Sequence, residues 1–106
     1  MLEAGSVVDE VVKAAREVLD VVQVILFGSR SDGSASEESD HDFLIVARSD
    51  LRPNERTDLV RLRLLHVREP MDIIVVTPEE FERLRCWTSS IVHEAAENGK
   101  LLYEAA

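Results

Sequence analysis

Cysteine, aromatic residues and long apolar runs are all scarce in this chain. The single cysteine, Cys86, has no partner for an internal disulfide, which is typical of a protein kept in the reducing cytoplasm. No uncharged apolar run approaches the roughly 18 to 20 residues that a membrane-spanning helix needs. Glu3, Asp9 and Glu10 interrupt any apolar core of a signal peptide. We therefore expect a cytoplasmic protein with no membrane partner.

Positive charge is also scarce. The chain has 12 Lys and Arg against 21 Asp and Glu, so its formal net charge is −9. A protein that binds nucleic acid on its own normally carries a basic face. The charge balance therefore argues against direct nucleic-acid binding, and it favours a basic partner or a ligand neutralised by metal.

The length and the hydrophobic fraction indicate a small globular protein. A chain of 106 residues buries roughly two-thirds of its unfolded surface, which is enough for one modest core. The hydrophobic fraction of 45% is ordinary for globular proteins. We expect one domain over residues 1–106.

Apolar spacing predicts strands alternating with helices. Each predicted core strand is six residues long and rich in β-branched residues, as buried strands are. These strands are 22–27 (VQVILF), 41–46 (HDFLIV) and 71–76 (MDIIVV), and "KLLYE" near the end is expected to form a short edge strand. The alternation predicts the α/β (α+β) class.

Helical patterns occupy the intervals between these strands. The first helix is predicted to start at Ser6, with Asp9 as its capping-box partner, and to run towards Val22. Leucines and a valine over residues 59–65 predict a second helix that stops before Pro70.

Two more helices are predicted in the last third of the chain. Thr77 and Glu80 form a capping box with Pro78 at the first helical position. A final helix around residues 91–97 ends at Asn98 and Gly99.

Acidic residues occur where two of the predicted strands begin. Asp40 and Asp42 project to the same face of a strand, with Cα atoms roughly 6.6 Å apart. A divalent cation would relieve their repulsion, and oxygen ligands suit Mg²⁺ or Mn²⁺ shared with substrate phosphates. Asp72 is second in another apolar strand, where an acid is costly unless it faces the same metal or another partner. The three acids are therefore candidate catalytic and metal-binding residues.

A candidate phosphate site precedes the acids. Gly28 and Ser29 close the first strand with a small residue and a hydroxyl, and a helix start there would offer free N–H groups to phosphate. Arg30 adds positive charge beside them. Each feature alone has an ordinary explanation, as a turn or a solvated acid, and only their order and spacing together favour catalysis.

The motifs "FGSRSDG" and "SDHDFLIV" resemble those of the minimal nucleotidyltransferase family of the DNA polymerase β superfamily. The family signature is Gly-Ser, about ten residues, then Asp-x-Asp. The resemblance covers nearly the whole chain and implies a polymerase β-like nucleotidyltransferase fold, a small mixed sheet flanked by helices. It further implies that Gly28 and Ser29 hold the triphosphate, that Asp40 and Asp42 bind Mg²⁺, and that Asp72 is the third carboxylate.

The resemblance also implies a reaction and a partner. Family members transfer a nucleoside monophosphate from a nucleoside triphosphate to a hydroxyl. The resemblance implies that two Mg²⁺ ions assist this transfer. Minimal members are commonly paired with a helical HEPN protein as toxin and antitoxin. The resemblance therefore implies an antitoxin that uses ATP to add AMP to a tyrosine of a HEPN-type toxin, in a homo- or hetero-oligomer.

Two departures and two alternatives accompany this interpretation. Asp32 precedes Gly33 where the family often has a basic residue, and His41 stands between the aspartates where an apolar residue is usual. One alternative is an antitoxin that masks its partner by binding alone. The other is nucleotide transfer to a small hydroxylated compound such as an antibiotic, which is disfavoured because no substrate domain is present.

Overall fold

The computed structural model describes residues 4–27, 41–68 and 70–105. Within these ranges the chain forms one sheet with helices packed on both faces. The elements in chain order are α1 (Ala4–Val18), β1 (Asp20–Phe27), β2 (His41–Arg48), α2 (Pro53–Leu62), β3 (Met71–Val76), α3 (Pro78–Leu84), α4 (Ile91–Asn98) and β4 (Lys100–Glu104). None of the helices in these ranges has the length and apolar character needed to cross a membrane.

The sheet is mixed, with strand order β3-β2-β1-β4. β1 is antiparallel to both β2 and β4, and β2 is parallel to β3. Parallel neighbours need a crossover connection, and α2 supplies it between β2 and β3. The predicted class, a small mixed sheet flanked by helices, is confirmed.

The core has two layers because the central strands are buried on both faces. Along β2, Phe43 and Ile45 face α1 and α2, while Leu44 and Val46 face α3 and α4. We call these two sides the α1/α2 face and the α3/α4 face. The uninterrupted apolar run in β2 follows from this arrangement, since a strand covered on both sides has no solvent-facing positions to fill with polar residues.

Several predicted boundaries are confirmed. β3 and the edge strand β4 occupy the predicted residues, and α4 ends at Asn98. The capping box of α3 forms as expected: the Glu80 N–H donates to Thr77 Oγ1 at 3.2 Å, and the Thr77 N–H donates to Glu80 Oε1 at 2.8 Å. Local signals of this kind place the start of a helix well.

The predicted limits of α1 are wrong at both ends. The helix begins at Ala4, so Ser6 lies in its first turn and is not its cap. It ends at Val18, and β1 begins at Asp20, which pairs with Arg48 of β2. Residues up to Val22 fit the helical apolar spacing, but the pairing with β2 draws them into the sheet.

The second helix is shorter than predicted. α2 ends at Leu62, and the Arg63 N–H donates to the Val60 carbonyl at 3.1 Å, which tightens the chain into a turn. Leu64 is buried, but Leu62 and Leu65 are 64% and 78% exposed. Two leucines of the apolar pattern that predicted this helix therefore face solvent.

Candidate functional site

Asp42 and Asp72 lie side by side in the sheet. Each is the second residue of its strand, and the two are Cα partners in the parallel pairing of β2 with β3. Neighbouring strands are roughly 4.8 Å apart, and register partners project to the same face. The structure therefore brings these two predicted site residues together.

The acid pair, Asp42 and Asp72, stands at the end of an apolar stripe on the α3/α4 face. Phe27 of β1 is the register partner of Asp42 and is buried, and Leu44 follows two residues later on the same face. Asp42 is half-buried and Asp72 is exposed. Like charges on register partners of neighbouring strands are unfavourable. A bound cation would lower that repulsion.

The other predicted site residues lie outside the described ranges. These are Asp40 and the nucleotide-binding positions Gly28, Ser29 and Arg30, and the same holds for Asp32 and the side chain of His41. In sequence, Gly28 follows Phe27 and Asp40 precedes His41. The described chain thus leaves the sheet, and returns to it, beside the acid pair.

The donor set of the acid pair fits a hard divalent cation. Among the residues that the structure describes, no group of three or more His, Cys, Asp or Glu could hold a metal ion. The described residues supply two carboxylates, those of Asp42 and Asp72. Carboxylate oxygen is the donor type that Mg²⁺ and Mn²⁺ prefer. A third ligand would have to come from elsewhere, and Asp40 is the predicted one.

A groove elsewhere on the described surface contains neither residue of the acid pair. It has a volume of about 460 Å³ and lies between α1 and β4. α1 packs on the α1/α2 face, so this groove is on the opposite side of the sheet from the acid pair. The candidate site is therefore defined by the placement of its carboxylates and not by a cavity.

Sequence reasoning missed a buried arginine beyond the other end of β3. Arg56 in α2 is only 3% exposed. Its guanidinium donates to Glu80 Oε1 at 2.8 Å and Oε2 at 3.3 Å, and also to the carbonyls of Val75 at 3.0 Å and Leu51 at 3.0 Å. A buried charge needs this many partners. The sequence signal, an arginine four residues before the buried Val60, is too common to have found it.

Glu80 shows the electrostatic consequence of this arrangement. The hydrogen bonds from Arg56 lower the pKa of the Glu80 carboxyl; burial opposes the shift and the Thr77 N–H adds to it. Glu80 therefore stays ionised while it caps α3 and neutralises Arg56. The Arg56–Glu80 pair ties α2 to the start of α3, and its role is structural.

Comparison with known families adds an independent finding. The family model described as nucleotidyltransferase domain matches residues 8–102. The match includes both residues of the acid pair and the residues between β1 and β2. No curated protein is significantly similar to the chain.

Solved structures with a similar fold include toxin–antitoxin complexes. A chain of a toxin–antitoxin structure with AMP-PNP has a TM-score of 0.66 and 21% identity, over 92% of this chain and 73% of that one. A nucleotidyltransferase, described as putative, from Sulfolobus solfataricus gives 0.64 and 22%, over 92% and 77%. A chain of the complex between tri-AMPylated Shewanella oneidensis HEPN toxin and MNT antitoxin gives 0.59 and 20%, over 92% and 70%. Because the identities are this low, the three matches show that the fold is shared and nothing beyond the fold.

Proposed function

This chain belongs to the nucleotidyltransferase domain family, and we propose that it transfers AMP from ATP to a hydroxyl group of a partner protein. The observation that carries the proposal is the pairing of Asp42 with Asp72 across the β2–β3 ladder. Two adjacent carboxylates are costly for a small fold, and a nucleotidyltransferase needs such a pair to hold the metal that accompanies a nucleoside triphosphate.

In this proposal two Mg²⁺ ions would be held by Asp40, Asp42 and Asp72. Mn²⁺ suits the same oxygen donors. When bound, the metal neutralises charge that develops on the leaving pyrophosphate and lowers the pKa of the attacking hydroxyl. The fit rests on the donor chemistry of the two described carboxylates.

The protein residues position the reactants for an in-line displacement. Gly28 and Ser29 would hold the triphosphate through backbone N–H groups and the serine hydroxyl, and Arg30 would add positive charge. The acceptor oxygen forms a bond to the α-phosphorus while the bond from that phosphorus to the bridging oxygen breaks, so pyrophosphate leaves. Asp72, the more exposed of the paired acids, would either hold the second metal ion or accept the proton of the acceptor hydroxyl.

The partner in this proposal is a HEPN-type toxin, and the acceptor is a tyrosine hydroxyl on it. Support comes from the fold, which is shared with chains of toxin–antitoxin structures, one holding AMP-PNP and one containing an AMPylated HEPN toxin. The chain would then act as an antitoxin in the cytoplasm, where ATP is available.

Intact-mass analysis tests the proposal. The chain is co-expressed with a candidate HEPN-type partner protein, purified as a complex, and given Mg²⁺ and ATP. The partner should gain ~329 Da for each AMP transferred. Asp42→Asn should abolish the gain, whereas Asp20→Asn, which alters an exposed acid at the far end of β1, should leave it intact.

A stable complex whose partner gains no mass would contradict the catalytic proposal. That result would favour the antitoxin that masks its partner by binding alone. Loss of the mass gain in both variants would show that the acid pair has no special role.

A further inference from the structure

A basic and apolar stretch interrupts this acidic chain. Residues 61–68 (RLRLLHVR) contain three arginines and no acid, although the whole chain has a net charge of −9. In the structure these residues form the end of α2 and the turn that follows it. A local charge opposite to that of the whole protein marks this stretch as a distinct surface.

The stretch borders an apolar groove of about 310 Å³. We call it the α2-end groove, and it is lined by Arg61, Leu64, Leu65, Val67, Met71 and Ile73. Leu65 on its rim is 78% exposed, and Leu62 nearby in sequence is 64% exposed. Exposed leucines beside an apolar groove are a feature of interaction surfaces.

Two of the arginines at this surface are available to a partner. Arg63 already pairs with Glu17 at 4.0 Å, and His66 pairs with Glu10 at 3.0 Å. The side chains of Arg61 and Arg68 make no hydrogen bond or ion pair within the described parts of the chain. The groove thus combines apolar lining with the positive charge of Arg61, and Arg68 follows the lining residue Val67 in sequence.

The α2-end groove lies close to the acid pair along the chain but on the other side of the sheet. Met71 lines the groove and packs on the α1/α2 face, while the next residue, Asp72, projects to the opposite face. Among the described residues β3 is an edge strand, so no strand of the described sheet separates the two sites. A protein that occupied the groove would sit beside the start of β3, next to the acid pair.

We propose that the α2-end groove docks an acidic amphipathic helix of the acceptor protein. Leucine-like side chains of that helix fill the groove against Leu65, and its carboxylates pair with Arg61 and Arg68. The docking surface itself stands on the geometry above, and only the identification of its occupant as the acceptor rests on the proposed function.

The observations favour a protein helix over two other occupants. Nucleic acid would leave the exposed leucines without apolar contacts, because its backbone phosphates pair with cations and not with apolar side chains. A second copy bound through the same patch would bring two basic borders together, because a twofold interface is self-complementary. An acidic helix satisfies both the apolar lining and the charge.

A designed peptide tests the docking surface without nucleotide or partner. The probe is a helical peptide of about 16 residues, roughly four turns, with leucines on one face and glutamates on its flanks. A matched peptide carries lysine at every glutamate position. Titration of the isotope-labelled chain, followed by amide NMR shifts, should show the acidic peptide perturbing residues 61–73 and the lysine peptide leaving them unchanged.

Surface variants sharpen this test. Leu65→Ser should weaken binding of the acidic peptide about tenfold, because a leucine side chain loses its buried contact. Arg61→Ser should weaken it about threefold, the value of an exposed ion pair. The controls are Leu101→Ser and Arg48→Ser, which change exposed residues on other strands and should leave the affinity unchanged.

Four outcomes would overturn the proposal. The first is no shift at about 1 mM acidic peptide, a concentration that reveals even weak binding. The second is equal binding of both peptides. The third is perturbation of residues 61–73 by a short RNA duplex, which would assign the groove to nucleic acid. The fourth is a dimer in sedimentation analysis that Leu65→Ser dissociates, which would assign it to a second copy. Each of these results is independent of AMP transfer, so failure here leaves the catalytic test standing.

Discussion

The two ends of β3 carry opposite arrangements of charge. At the start, Asp72 lies beside Asp42, so two like charges adjoin across the parallel ladder. Beyond the end, the buried Arg56 and the partly buried Glu80 form an ion pair with two hydrogen bonds between them. β3 is only six residues long, so the two arrangements lie within about 20 Å of each other along one strand.

The difference separates residues that hold the fold together from residues kept for chemistry. The hydrogen bonds of the Arg56–Glu80 pair compensate the burial of charge, and losing one partner removes that compensation from the other. Adjacent like charges repel each other, and proteins keep such pairs where function requires them. Removing one charge from each end of β3 should therefore change stability in opposite directions.

The largest effect is expected from Arg56→Met. The substitution removes the donors to Glu80 and to the Val75 and Leu51 carbonyls, in a region where Arg56 is almost fully buried. We expect a loss of about 3 kcal/mol, as for other broken buried pairs. For a chain of this size that lowers the melting temperature by about 12 °C or more, measured by circular dichroism.

Arg48→Met is the matched control for that prediction. Arg48 pairs with Asp20 at 3.6 Å, and both side chains are about two-thirds exposed. Surface pairs of this kind contribute little, so the melting temperature should move by about 2 °C or less. Equal losses in the two variants would show that burial of Arg56 does not matter to the fold.

A smaller loss of stability is expected when Glu80 is protonated at low pH. Hydrogen bonds from Arg56 hold the pKa of the Glu80 carboxyl below its ordinary value of about 4.5, with burial opposing and the Thr77 N–H adding to the shift. The unfolded chain therefore takes up this proton first as the pH falls. The stabilisation is complete above about pH 4.5 and is lost as the pH falls through the lowered pKa of the folded state.

Glu80→Gln isolates this contribution. A glutamine side chain still accepts the N-cap hydrogen bond but has no charge to lose. The wild-type melting temperature should therefore fall more steeply than that of Glu80→Gln between about pH 6 and about pH 3. Parallel curves for the two proteins would mean that the Arg56–Glu80 pair does not contribute to acid sensitivity.

The sequence predicted those parts of the fold that depend on local signals. β3 and α3 begin where a short apolar run and a capping box place them. The end of α1 was not predictable in this way, because residues up to Val22 fit both a helix and a strand, and pairing of Asp20 with Arg48 across the sheet decides between them. Long-range pairing is not visible in a local apolar pattern.

The sequence predicted which residue types form the candidate site better than it predicted how they are arranged. Acids at the starts of two apolar strands indicated a shared ligand, and the structure places Asp42 and Asp72 in register. That register depends on a parallel pairing formed through the α2 crossover. The contribution of Asp40, Gly28, Ser29 and Arg30 stays a prediction. The Arg56–Glu80 pair joins residues 24 apart in the chain and has no sequence signal of its own.

The smallest change in melting temperature is expected from Asp72→Asn. The direction of this change decides whether the two ends of β3 differ. Asp72 is exposed, so its loss opens no cavity, and the main change is relief of repulsion from Asp42 across the ladder. We expect the melting temperature without ligand to stay unchanged or to rise by about 2 °C. Asp58→Asn, an exposed acid of α2, is the control and should change nothing.

Ligand addition completes the same experiment. Mg²⁺ with ATP should raise the melting temperature of the wild type and of Asp58→Asn, because a ligand that binds only the native state stabilises it. The rise should disappear in Asp72→Asn, which lacks one of the proposed metal ligands. If Asp72→Asn instead melts several degrees below the wild type without ligand, Asp72 supports the fold just as Arg56 does. The two ends of β3 would then be alike, and the physical argument for an active site at the acid pair would fail.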